Sequence, residues 1–136
     1  MKYLPNIAGG LLGCAFIAFG AMFFLKLGSA PAPPPADSPA GMFMGAFYPT
    51  GYLHFVKALE VIGGVLVAIP LTRNFGLLVL GPILVNIIAY HLFIMGGEGL
   101  FSAPLIVLCL LAVYLLWVDR GKWLGLLNYC HKGTSR

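Results

Sequence analysis

Four long apolar stretches constrain this chain more than any other feature of its sequence. They run from about Ile7 to Leu27, Tyr52 to Leu71, Phe75 to Met95 and Leu100 to Val118. A helix needs about 20 mainly apolar residues to cross a bilayer. Only 9% of the 136 residues are charged and 60% are apolar, which leaves too few charges to wet a soluble domain. The sequence therefore predicts an all-α integral membrane protein, one domain over residues 1–136 built as a four-helix bundle.

The first stretch has an alternative interpretation as a cleaved signal peptide. Lys2 precedes it, and Ala30–Ala32 resembles a small-residue cleavage site. However, prolines would follow the plausible cut points, and the apolar stretch exceeds the 7–15 residues usual for a signal core. We therefore expect the stretch to be retained as a membrane helix.

Basic residues concentrate on one side of the predicted topology. With four spans, both termini and the turn at Arg73 share a side. That side carries six of the eight Lys and Arg residues, namely Lys2, Arg73, Arg120, Lys122, Lys132 and Arg136. Cytoplasmic loops are enriched in such residues, so we expect both termini and the tail 119–136 in the cytoplasm. No basic cluster interleaves with aromatic residues, which argues against a nucleic-acid partner.

The outer loop, residues 28–51, combines a proline-rich half with an apolar half. Ala30–Pro35 favours an extended polyproline II conformation. Met42–Tyr48 is too apolar for a free loop, and we expect it to lie at the outer interface or dip among the helices. Ser102 and Pro104 are typical of a helix start and open the fourth span.

Six polar side chains interrupt the second and third stretches: His54, Lys57, Glu60, Asn86, Tyr90 and His91. An ionisable group in mid-membrane costs about 2.5–3.5 kcal/mol, so such groups face inward and pair. A helical rise of 1.5 Å per residue places Glu60 and Asn86 at one level, with Lys57, Tyr90 and His91 shallower. We expect these groups to form a polar pocket in the outer half, roofed by Met42–Tyr48, with Glu98 near its mouth.

Three interpretations of this pocket remain open. In the first, Lys57 and Glu60 form a pair, and Asn86 joins helices structurally. In the second, the pocket binds a quinone or another lipid-soluble redox molecule, with His91 or Glu60 handling protons. In the third, His54 and His91 ligate a haem, since their depths match. No other metal site is expected, and ion transport is disfavoured.

Other catalytic chemistry finds no support in the sequence. Hydrolase and kinase motifs and phosphate-binding glycine loops are absent. The three cysteines, Cys14, Cys109 and Cys130, lie far apart and form no CxxC pair, which excludes thioredoxin-like and zinc-ribbon sites.

Small residues recur along the first stretch. Gly9 and Gly13 form a GxxxG pair, and Gly10, Cys14 and Ala18 repeat every four residues. Such stripes allow close helix contact in lipid. Packing within the chain's own bundle is one interpretation, and a homodimer face is the other.

Two segments, KALEVIGG at 57–64 and GPILVNIIAYH at 81–91, resemble the DoxX family of small bacterial membrane proteins. The resemblance runs from the first stretch to the Trp117–Trp123 end. The family is similar to the DoxD subunit of an archaeal thiosulfate:quinone oxidoreductase, and to a four-helix group that includes receptor-assembly chaperones. It implies a bacterial inner membrane, a link to quinone chemistry, and a role for Lys57, Glu60, Asn86 and His91 as the family's intramembrane polar residues. The proline-rich insertion at 31–39 departs from the family's short outer connection and suggests a docking arm.

The function expected is therefore that of a quinone-associated redox subunit of the membrane. Glu60 and Lys57 would polarise the site, and His91 and Asn86 would hydrogen-bond the ligand's carbonyl. Because the chain has no flavin or metal motif, a protein partner would carry the redox centre. The alternative is a non-catalytic accessory or assembly subunit that docks on a larger membrane complex.

Overall fold

The computed structural model describes residues 3–28 and 32–133, with side chains up to Tyr129. Its regular structure is helical throughout, which confirms the all-α class. The helices are α1 (Leu4–Leu25), α2 (Pro39–Phe47), α3 (Tyr52–Ala68), α4 (Arg73–Ala89) with a π-helical extension (Tyr90–Ile94), α5 (Ala103–Val118) and α6 (Arg120–Gly133). Lys2, Ala30, Pro31, Arg136 and the side chain of Lys132 lie outside the described part.

Within residues 3–28 and 32–133, two helical segments are each long and apolar enough to cross a membrane. They are α1 and the continuous segment Arg73–Ile94, with 22 residues each. The number rises to four if each of two bent pairs is one span: α2 with α3, bent by 85°, and α5 with α6, bent by 61°. The fold is therefore that of a helical membrane protein with two to four candidate spans.

Prolines set several helix ends. Pro5 lies in the first turn of α1, which begins three residues before the predicted start. Ile69 is extended, with φ −86° and ψ 120°, because the residue before a proline disfavours the helical conformation. As a result α3 ends at Ala68 rather than at Leu71. Ser102 occupies the N-cap position of α5, without a side-chain capping hydrogen bond, and Pro104 lies in the first turn, so the helix starts where the sequence predicted.

Glycines bring α1 and α3 into close contact. A Cβ atom on Gly9 would lie 2.8 Å from the Val67 carbonyl oxygen, and one on Gly13 would lie 2.8 Å from Ala68 Cβ. A side chain at either position would separate the helices. The GxxxG pair therefore packs within the chain itself, whereas Gly10 has open space where its side chain would be.

The register of α3 against α4 follows from two contacts. A Cβ on Gly76 would lie 2.7 Å from Val67 Cα, and a Cβ on Gly63 would lie 2.7 Å from Leu80 Cδ2. An antiparallel pair with these contacts puts Lys57, rather than Glu60, level with Asn86. The predicted levels are therefore wrong by about one helical turn.

The molecule has two ends, which we call the Arg73 end and the Glu98 end after one residue at each. Arg73 Nη2 donates a 2.6 Å hydrogen bond to Asn6 Oδ1, so α1 and α4 both begin at the Arg73 end. The described connecting residues 26–28, 32–38 and 95–102 lie at the opposite end, called the Glu98 end. Because α5 returns from there, α6 lies at the Arg73 end.

Candidate functional site

A partly buried ion pair lies near the middle of α3. Lys57 Nζ lies 2.8 Å from Glu60 Oε2 and 3.0 Å from Oε1. The Glu60 side chain is 4% exposed and the Lys57 side chain 29%. A spacing of three residues puts both groups on one helix face, so the sequence-based pairing is confirmed. Glu60 is the central residue of α3 and lies about 12 Å from either end of the helix.

His54 lies apart from this pair in a cluster of aromatic rings. Its ring centroid is 5.0 Å from that of Phe23 on α1 and 5.6 Å from that of Tyr48, at the end of α2. These contacts place α2 next to the first turn of α3. His54 therefore packs towards α1, away from the predicted partners on α4.

Tyr90 and His91 lie in the π-helical extension of α4. The Tyr90 ring centroid is 5.1 Å from that of Phe43 on α2 and 5.6 Å from that of His91. The segment expected to form a roof thus covers Tyr90. Single π-helical turns within α-helices occur frequently at functional sites, so the Tyr90–Ile94 turn is a candidate part of such a site.

The contacts of His91 assign its neutral tautomer. Nδ1 lies 2.8 Å from the carbonyl oxygen of Ile87. A carbonyl only accepts, so Nδ1–H donates, and in the neutral ring Nε2 then carries the lone pair. Nε2 faces the glycine-rich connection, where a Cβ on Gly99 would lie 3.2 Å from it. His91 is thus oriented by its own helix and presents a hydrogen-bond acceptor towards the Glu98 end.

The Asn86 side chain lies on the exposed face of α4. Its side chain is exposed, like the neighbouring Val85, whereas Ile83 and Leu84 are buried in the core. No hydrogen bond from its side chain occurs within the described residues. Thirteen residues separate Asn86 from Arg73, which places it about 20 Å along the helix from the Arg73 end.

The six predicted site residues therefore form separate groups in the chain as it stands. Lys57 contacts Glu60, and Tyr90 contacts His91. His54 joins the α1 aromatic cluster, and Asn86 faces outward. The α3–α4 register separates Glu60 from His91 by about 12 Å along the helix axis. A single ligand-binding pocket that joins these groups remains a prediction.

A shallow cavity of about 240 Å³ lies at the Glu98 end. The proline-rich segment and the end of the π-helical turn form it, with lining residues Pro34, Pro35, Ser38, Pro39, Ala40, Ile94, Met95 and Glu98. The second half of the outer connection thus folds against the glycine-rich connection. Glu98 is exposed beside it, and none of the six predicted pocket residues lines this cavity.

The geometry does not fit a haem shared by His54 and His91. Axial ligation requires a ring nitrogen of each histidine to face the same iron atom. The His54 ring packs on Phe23 and Tyr48, while His91 Nε2 faces the backbone of Gly99. Among the described residues there is also no cluster of three or more potential metal ligands.

Sequence reasoning missed a second polar cluster at the Arg73 end. Arg73 was expected in a turn on the cytoplasmic side, and it is the first residue of α4 and only 7% exposed. Its partner Asn6 lies 67 residues earlier in the chain. The signal available was an asparagine in the first turn of an apolar helix, which does not reveal its distant partner.

Comparisons with known proteins place few constraints on the function. No family model matches the chain, and no solved structure matches it. A Bacillus subtilis (strain 168) protein named "Uncharacterized protein YwoB" is 38% identical over 81 residues, 56% of this chain. The matched region is 50% of that protein, so the chain spans about half the length of this relative.

Proposed function

We propose that this protein is a DoxX-like, quinone-associated redox subunit of the bacterial inner membrane, with both termini in the cytoplasm. The ligand ring would lie at the Glu98 end, beneath α2 and beside the Tyr90–His91 turn. The observation that carries the proposal is the orientation of His91, whose Nε2 faces the Glu98 end.

The tautomer of His91 favours the reduced form of the ligand. A quinol presents hydroxyl donors, whereas a quinone presents carbonyl acceptors. Nε2 of neutral His91 accepts a hydrogen bond from a hydroxyl but cannot donate one to a carbonyl. His91 would therefore take up one of the two protons that the quinol loses on oxidation, the second proton would pass to solvent at the exposed Glu98 end, and a partner protein would accept both electrons.

Neighbouring side chains supply the remaining contacts in this proposal. Phe43 and Tyr90, 5.1 Å apart between centroids, offer aromatic faces of the kind that pack against a planar ring. The more exposed member of the ion pair, Lys57, lies nearer to His91 along α3 than Glu60 does. The Lys57–Glu60 pair, which lies farther from the Glu98 end than His91, would polarise the site.

The outward-facing amide of Asn86 supports a second candidate, an accessory or assembly subunit. An amide without a hydrogen-bond partner in hydrocarbon is unfavourable. A helix of a larger membrane complex that packs against Asn86 would remove this cost. In this candidate the ion pair has only a structural role.

Binding of decylubiquinol and of its oxidised form to the purified protein in neutral detergent tests the first candidate. The reduced form should bind more tightly, and His91→Ala should weaken its binding about fivefold to tenfold, the loss of one hydrogen bond. His54→Ala is the matched control, because this histidine lies at a similar level but packs on α1, and it should retain binding. Equal affinity for both forms, unaffected by His91→Ala, would reject the quinol site and leave the accessory role.

A further inference from the structure

Buried polar atoms without partners gather at one end of the molecule. Within the described residues they are Arg73 Nε, Asn74 Oδ1 and Trp123 Nε1. Arg73 and Asn74 begin α4, and Trp123 lies near the start of α6, so all three belong to the Arg73 end. Buried polar groups are nearly always hydrogen-bonded. Two of the three, Arg73 Nε and Trp123 Nε1, are donors that an acceptor from outside this set of residues would satisfy, whereas Asn74 Oδ1 is itself an acceptor.

The charge of Arg73 lacks a counter-charge among the described groups. The chain has four acidic side chains. Glu60 is held by Lys57, and Asp119 lies 2.7 Å from Lys122. Asp37 and Glu98 are exposed on connections at the opposite end. Arg73 is only 7% exposed, and within the described residues its side chain donates to the neutral amide of Asn6.

The starts of α1 and α4 provide free N–H donors at the same place. Both α1 and α4 begin there, without a side-chain cap or an acidic residue in the first turn. The Thr72 hydroxyl, next to the start of α4, donates instead to the Leu66 carbonyl oxygen at 2.9 Å. The first N–H groups of a helix and its dipole both favour an anion. Because α3 and α5 end here as well, their dipoles oppose those of α1 and α4, and the charge that calls for an anion is that of the buried Arg73 guanidinium.

We propose that the Arg73 end binds a phosphate group, supplied by an anionic lipid headgroup or by free phosphate. The guanidinium of Arg73 provides the counter-charge, and the first N–H groups of α4 provide hydrogen-bond donors. The indole N–H of Trp123 is a further buried donor at this end. The site goes beyond the proposed quinol function and does not depend on it, because it lies at the opposite end.

The test uses delipidated full-length protein in neutral detergent, with native mass spectrometry and thermal unfolding. Three additions are compared: phosphatidylglycerol, phosphatidylcholine and inorganic phosphate. Phosphatidylglycerol should bind about tenfold more tightly than phosphatidylcholine, and Arg73→Gln should remove this preference. Lys122→Gln removes the same charge from an exposed side chain at this end and should keep the preference.

The three additions separate the sources of the phosphate. A preference for phosphatidylglycerol that depends on Arg73 supports a lipid headgroup. Saturable stabilisation by inorganic phosphate, lost in Arg73→Gln and without a lipid preference, supports free phosphate. If Arg73→Gln does not fold, Arg73→Lys, which keeps the charge but loses the planar donor geometry, should give intermediate affinity. A wild-type protein that responds to neither addition, or an anion preference unchanged in the Arg73 variants, overturns the proposal.

Discussion

Lys57 and Glu60 share one ion pair but differ strongly in exposure. Both carboxylate oxygens of Glu60 lie within 3.0 Å of Lys57 Nζ. The Glu60 side chain is 4% exposed, whereas that of Lys57 is 29% exposed. The carboxylate therefore depends on the lysine more than the lysine depends on the carboxylate, because Lys57 can extend its ammonium group towards the surface.

This asymmetry predicts unequal effects of removing each partner. Lys57→Met leaves a buried carboxylate alone and should lower the free energy of unfolding by about 2–4 kcal/mol. Glu60→Gln leaves a lysine that can reorient, so its cost should be smaller. The double variant should recover part of the loss, because no buried charge then remains. Denaturant unfolding in detergent measures the series, and equal losses in the two single variants would contradict the argument.

Sequence patterns predicted local features better than contacts between distant segments. The apolar runs located the helices, Ser102 and Pro104 located the start of α5, and a three-residue spacing paired Lys57 with Glu60. Pro70 was also available as a stop signal for α3. The register of α3 against α4 was not available, because it depends on which glycines contact which side chains across the interface. The hydrogen bond between Arg73 and Asn6 was missed for the same reason.

The contact between α1 and α3 predicts opposite effects at two nearby glycines. A Cβ on Gly13 would lie 2.8 Å from Ala68 Cβ, while one on Gly10 would meet nothing within 4 Å. Gly13→Ala should therefore destabilise the protein by about 1–3 kcal/mol through overpacking. Gly10→Ala should be neutral or stabilising by up to about 1 kcal/mol, because alanine favours the helix. Unfolding in detergent distinguishes the two, and a comparable loss at Gly10 would indicate that a second copy packs on that face.

The connection that follows the π-helical turn predicts a specific effect on His91. Gly96 and Gly99 both have positive φ, 62° and 74°, so alanine at either position costs about 1–2 kcal/mol in backbone strain. Only at Gly99 would the new Cβ approach the His91 ring, at 2.9 Å from Cδ2. Gly99→Ala should therefore also shift the imidazole NMR signals of His91, whereas Gly96→Ala should leave them unchanged. Identical spectra for the two variants would show that the ring is not held by this connection.

Asn86 provides a test of whether another molecule covers this face of α4. In the isolated protein its amide is exposed about 20 Å from the Arg73 end, at a depth expected to face hydrocarbon. Asn86→Leu should therefore stabilise the isolated protein in lipid nanodiscs by about 1–3 kcal/mol, since a polar group leaves an apolar surface. Val85→Leu is the matched control, because it enlarges an adjacent exposed side chain without removing an amide, and it should be nearly neutral.

If a larger membrane complex packs here, Asn86→Leu should weaken that complex while the isolated subunit becomes more stable. A loss of stability in the isolated Asn86→Leu protein would instead mean that the amide already has a partner within the chain.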